Sequence, residues 1–183
     1  MWSLKTTMLV VLVLAGLSVA GWYWYTYMQH MPADIQQTSA SQDMPVPPLS
    51  RTYRNDALRM SFSYPEGYTV REVGGEEGGT ILIENPGDSG RGVQIAITPY
   101  TGTDTTITAE RVQEDIPDMQ VEDAQPVSLG VAGEGVAFKS DNESFGGDSR
   151  EVWFVVAGRL YQVSTYAVYD KVLQAIMGTW SFF

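Results

Sequence analysis

The 183-residue chain has no cysteine and one histidine, His30. Without cysteine there is no disulfide to support the fold and no lipobox for a lipid-anchored lipoprotein. Together the two scarcities remove the soft ligands of zinc-type sites. Basic residues are few, 11 Lys plus Arg against 22 Asp plus Glu, for a net charge of −11. That balance repels phosphate backbones and disfavours nucleic-acid binding. It also argues against a domain lying flat on anionic lipid. Solubility alone accounts for most of the charge. No residue from Thr6 to Ala33 is Asp, Glu, Lys or Arg, and no fixed-period repeat is visible.

The uncharged stretch is the most informative one present. Met8 to Tyr27 is almost wholly apolar and ends in Trp22-Tyr23-Trp24-Tyr25-Thr26-Tyr27. About twenty helical residues span roughly 30 Å, the thickness of a bilayer's hydrocarbon core. Trp22, Tyr23, Trp24 and Tyr25 stand where an interfacial aromatic belt belongs. Residues 1–27 therefore read as an N-terminal transmembrane helix of a single-pass protein. Lys5 precedes it and no further Lys or Arg follows until Arg51, which places the N-terminus in the cytoplasm and the bulk outside. The alternative is a cleaved signal peptide, with Ser18-Val19-Ala20 as the small-x-small site before Gly21 and a secreted product. The apolar span continuing past Ala20 favours the retained anchor.

Residues 28–50 read as a tether, with Pro32, Pro45, Pro47, Pro48 and a Gln36–Gln42 polar tract. Residues 51–183 are of a size for one domain. Period-two alternation dominates it. Leu58, Met60, Phe62 and Tyr64 alternate with polar residues, Pro65-Glu66-Gly67 supplies a turn, and strands follow over Tyr68–Val73, Thr80–Glu84 and Gly92–Thr98. Further strands are expected over Val127–Val131, Glu134–Lys139, Arg150–Ala157, Leu160–Ala167 and Thr179–Phe183, with a hairpin turn at Gly158-Arg159. Helices are expected from a Thr106 or Thr108 cap to about Ile116, and from an Asp170 cap to Gly178 at the C′ position. The sum is an α+β class: an antiparallel sheet with a few flanking helices, preceded by the transmembrane segment.

Phe62-Ser63-Tyr64-Pro65-Glu66-Gly67-Tyr68 resembles the FxYPxxW/Y opening of PsbP-like domains, with Tyr68 where that family more often has Trp. The ending is similar too: Trp153-Phe154, Tyr161-Gln162-Val163, a helix from Asp170, then Thr179-Trp180-Ser181-Phe182. The resemblance spans Tyr53 to Phe183 and implies the Mog1/PsbP-type fold, which hosts accessory and binding roles. It carries over no photosystem role, since fold does not imply function.

Several constellations could carry chemistry. Gly87-Asp88-Ser89-Gly90 matches the surroundings of a chymotrypsin-like nucleophile, but the only histidine, His30, lies in the tether. A turn explains the motif as well. A hydrolase using Ser89 or a carboxylate pair stands as the alternative to a binding role. Asp141, Glu143 and Asp148 cluster oxygen ligands in a loop and are the candidates for calcium, which would make the domain a calcium-stabilised structural one. No other cofactor is indicated. Glu110, Glu114 and Asp115 lead an acidic stretch that is either a patch for a basic envelope partner or a solvated helix face. Trp153 and Phe154 are adjacent, so a strand sends them to opposite faces, one of which could line a groove. The reading that unites these features is a membrane-tethered, extracytoplasmic, non-enzymatic domain that binds or positions an envelope component.

Overall fold

The computed structural model describes residues 45–75, 78–130 and 133–183. The expected transmembrane helix, its Trp22 to Tyr25 belt and most of the tether lie outside these residues. Among the described residues no helix is long and apolar enough to cross a membrane.

Among the described residues ten strands and two α-helices run in the order β1 (Arg51–Asn55), β2 (Met60–Tyr64), β3 (Thr69–Gly75), β4 (Gly78–Glu84), β5 (Gly92–Pro99), α1 (Ala109–Asp115), β6 (Glu122–Ser128), β7 (Glu134–Ser140), β8 (Ser149–Val156), β9 (Arg159–Tyr166), α2 (Asp170–Met177) and β10 (Ser181–Phe182). Seven strands form one antiparallel sheet in the order β3-β4-β5-β9-β8-β7-β6, and β1-β2-β10 form a second. The α+β class and the dominance of antiparallel pairing are as the alternation indicates. Two meanders, β3-β4-β5 and β6 to β9, meet at the β5–β9 pair.

The large sheet is buried on both faces at its centre. Ile81, Ile95, Val163 and Val152 form one cross-strand row on the first face, and they pack with Phe62 of β2 and Leu173 of α2. On the second face Trp153, Val155, Val136 and Phe138 pack with Ile107 and with Val112 of α1. Trp153 (4% exposed) and Phe154 (0%) do point to opposite faces, but each is sealed in a core, and neither lines a groove. Phe154 belongs to one hydrophobic core and Trp153 to the other.

Four local expectations shift. The β8–β9 turn is Ala157-Gly158, one residue earlier, with φ of +50° and +71°, the double left-handed signature of a type I′ hairpin that glycine tolerates. Asp170 is already helical, because a 3₁₀ turn over Ala167–Tyr169 feeds directly into α2; Tyr169 holds the cap position without a side-chain bond. Gly178 ends α2 at φ −64°, not in the left-handed conformation. β6 runs over Glu122–Ser128 instead of 127–131; it is an exposed edge strand whose polar sequence lacks alternation. For the same reason β1, mostly exposed, gave no signal in the sequence. The Thr108 cap does stand as expected, its hydroxyl accepting from Arg111 N at 3.3 Å.

Candidate functional site

A groove of about 750 Å³ lies on the first sheet face, where β6, β7 and β8 run out from under the second sheet and α2 forms a wall. Strand register orders its floor into rows. Lys139 of β7 stands opposite Arg150 of β8 and Glu122 of β6, Ala137 opposite Val152 and Gln125, and Gly135 opposite Val127. The groove is therefore graded: charged at the Lys139–Arg150 end, apolar toward Val127, Leu129 and Met177.

The charged end is internally paired. Arg150 forks onto Asp170, Nε to Oδ1 at 3.0 Å and Nη2 to Oδ2 at 3.1 Å, and Gln174 Nε2 donates to the same Oδ2 at 3.1 Å. This explains why Asp170 does not cap its helix: its carboxylate is drawn across to β8. Both partners are only 20% exposed, so the bidentate pair is held more firmly than a surface bridge. Lys139 Nζ meets Asp123 Oδ2 at 2.6 Å with both side chains far more exposed, 48% and 62%. A register shift between Glu122 and Gln125 and a φ of +50° at Asp123 aim that carboxylate at the lysine. The hydrogen bond to Lys139 lowers the Asp123 pKa and raises that of the lysine.

On the opposite face sits a carboxylate that the apolar strand pattern gave no reason to single out. Glu151 is 1% exposed. Its Oε1 accepts from Ser149 Oγ (2.9 Å) and Asn142 Nδ2 (3.2 Å); its Oε2 accepts from Trp153 Nε1 (3.3 Å) and Ser164 Oγ. All four donors are neutral. Burial raises its pKa, and the hydrogen bonds hold the value down in part. A glutamate set in the run Glu151-Val152-Trp153-Phe154-Val155 was the available signal.

The residues singled out from sequence are dispersed. Ser89 is exposed, in left-handed conformation (φ +55°) after a 3₁₀ turn over Pro86–Asp88. Its loop is a turn closed by Asn85, whose N–H donates to the Arg91 carbonyl at 2.8 Å. Asp88 in that motif is structural: it accepts from Tyr169 Oη at 2.8 Å and pairs with Arg91 at 2.6 Å. These bonds lower the Asp88 pKa, and burial with the Asp88 bond pushes the Tyr169 phenol up to about 12. No histidine lies among the described residues. Asp141 Oδ1 accepts from Gln120 N at 3.1 Å, Glu143 opens a 3₁₀ turn, and Asp148 accepts through its carbonyl from Ala167 N. Among the described residues no group of three or more acidic or histidine side chains is arranged to hold a metal ion. Glu110, Glu114 and Asp115 are exposed on α1, and Asp115 is paired with Arg111 at 3.0 Å. The helix-start amide, and after it the Thr108 hydroxyl, lower the Glu110 pKa.

No protein-family model and no curated protein matches the chain. Among solved structures it is similar to the solution structure of cyanobacterial PsbP (CyanoP) from Synechocystis sp. PCC 6803, with 12% identity and a TM-score of 0.49, over 73% of this chain and 92% of that one. It is also similar to a crystal structure from Bacteroides thetaiotaomicron VPI-5482, with 14% identity and a TM-score of 0.45, over 74% of this chain and 49% of that one.

Proposed function

We propose that the chain is a membrane-tethered, extracytoplasmic, non-enzymatic domain that binds an envelope component in the β6–β8/α2 groove. The observation that carries this reading is the groove itself. Its volume of about 750 Å³ falls within the range of ligand sites, and its lining is divided between apolar residues and convergent polar ones. Each charged group at its mouth neutralises a neighbour: Arg150 with Asp170, Lys139 with Asp123. Such a set suits recognition by packing and hydrogen bonding, whereas a general acid or base needs a proton it can give or take near neutral pH. The resemblance of the Phe62–Tyr68 and Trp153–Phe182 segments to PsbP-like domains supports an accessory role. The apolar Met8–Tyr27 span and the absence of Lys and Arg between Lys5 and Arg51 support the anchor and its orientation.

A photo-crosslinking side chain placed at Gln125, on the groove, and at Glu114, on the acidic face, tests the reading in native membranes. The expected outcome is a discrete adduct from position 125 and none from 114. The reverse pattern moves the interface to the acidic helix, and no adduct from position 125 removes the groove. The chain is expected to stay in the pellet after carbonate washing, and outside protease is expected to cut within residues 28–50. A mature N-terminus at Gly21 would replace the anchor with secretion.

A further inference from the structure

The two bases at the groove's charged end occupy an unusual place. Lys139 and Arg150 are direct cross-strand partners on one face, an arrangement that like charges disfavour. They stand together although Arg51 to Phe183 holds only ten bases against twenty acids. Arg150 is locked by its fork to Asp170, whose carboxylate Gln174 also holds, so it cannot turn to a ligand without breaking two hydrogen bonds. Lys139 is different. Its one acid partner in the groove, Asp123, is mostly exposed and reaches the ammonium from a strand bulge at positive φ. An exposed pair of this kind is worth only about 0–1 kcal/mol and exchanges readily. Asp123 therefore acts as an internal stand-in for a second carboxylate.

The remaining lining says what that carboxylate is attached to. From the Lys139 row to the Val127–Gly135 row is four residues of strand, about 13 Å, the reach of about four residues of extended peptide. Along that path the side chains of Gln125 and Gln174 offer amide groups, matched to a peptide backbone and useless to a bare acyl chain. At the far end Val127, Leu129 and Met177 make an apolar seat. We propose that the groove receives the apolar C-terminal tail of a partner polypeptide, its free α-carboxylate taking Lys139 from Asp123. This rests on the groove being the binding site and names the chemistry of its occupant.

The test uses the full chain in phospholipid nanodiscs, with empty nanodiscs as the blank. The probe is a six-residue peptide ending in leucine-valine-leucine, labelled at its N-terminus and read by fluorescence anisotropy. One form carries a free α-carboxylate and the other a carboxamide. The carboxylate form is expected to bind about tenfold more tightly, the effect of one charge-assisted hydrogen bond. Asp123→Asn removes the competitor and is expected to tighten the carboxylate form about threefold while leaving the amide form unchanged. Lys139→Met is expected to abolish the preference for the carboxylate form or to reverse it, because Asp123 is then left unpaired beside it. Equal binding of both forms to the native chain overturns the inference, as does weaker carboxylate binding to Asp123→Asn. Binding of neither form does so too, and displacement of the peptide by dodecanoate at lower concentration than by unlabelled peptide reassigns the groove to acyl chains. A crosslink from Gln125 in native membranes that survives any of these outcomes leaves the binding reading intact while this inference fails.

Discussion

Glu151 offers the sharpest test of how the fold is held together. Glu151→Ala deletes the acceptor of four donors at once. Ser149 retains the Ser140 carbonyl at 3.3 Å as a second partner, and Asn142 is partly exposed and reaches water. Trp153 Nε1 has one proton and no alternative, and Ser164 is 6% exposed. Two buried donors left unpaired at about 1–3 kcal/mol each, with the cavity added, put the cost at about 3–5 kcal/mol. Glu151→Gln keeps the shape and turns one amide N–H toward donors, so its cost is about 1–2 kcal/mol. The two variants also separate charge from hydrogen bonding. The folded pKa of Glu151 is raised, so its contribution to stability is fully present below the unfolded carboxyl value of about 4.3 and is lost as pH rises through the folded value. Urea titrations of native protein and Glu151→Gln across that range give a difference curve in which the other acids cancel. The native advantage is expected to fall with rising pH and then to flatten. A flat difference curve, or an alanine variant that loses less than about 1 kcal/mol, would refute the reasoning.

Ser89→Ala is expected to change stability by no more than about 0.5 kcal/mol, and an active-site-directed fluorophosphonate is expected to leave the native chain unlabelled, since an exposed hydroxyl without a base is a poor nucleophile. Labelling that vanishes in the variant would restore the hydrolase. Tyr169→Phe is expected to cost about 1–2 kcal/mol, because it removes the donor to Asp88 and the acceptor of Asn85. The Asp88 pKa is lowered, so its share of stability is present above the unfolded carboxyl value and is lost as pH falls through the lower folded one. Acid titration of native and Asp88→Asn chains is therefore expected to converge at low pH, and parallel curves would contradict the assignment.

Legibility followed burial. Strands that send an apolar residue into a core at every second position, such as β2, β5 and β9, announce themselves by alternation, and turns dense in proline or glycine mark their ends. β1 and β6 are mostly exposed, so no selection for apolar residues at every second position writes them into the sequence. Asp170 was legible as a helix-start residue, yet its partner Arg150 comes from a strand twenty positions earlier, and only tertiary structure could prefer that contact over a cap. The groove has the same character. Its floor combines Gln125, Ala137 and Val152 from three strands, none of which forms a motif in the sequence. Conversely, Gly87-Asp88-Ser89-Gly90 is conspicuous in the sequence because turns reuse the same small set of residues as many active sites.

The order β3-β4-β5-β9-β8-β7-β6 also bears on how the chain reaches this state. Every neighbouring pair in the large sheet but one joins consecutive strands, so each meander can assemble from contacts near in sequence. The exception is β5 on β9, where Ile95 meets Val163 across an intervening stretch that holds α1 and three strands. Closing that long loop is the entropic step, and it is compensated only when the row from Ile81 to Val152 becomes continuous. Truncating Ile95 or Val163 should thus slow folding, while truncations confined to the β6 edge should mainly speed unfolding. The seam that makes the two halves one sheet is where the rate is expected to be set.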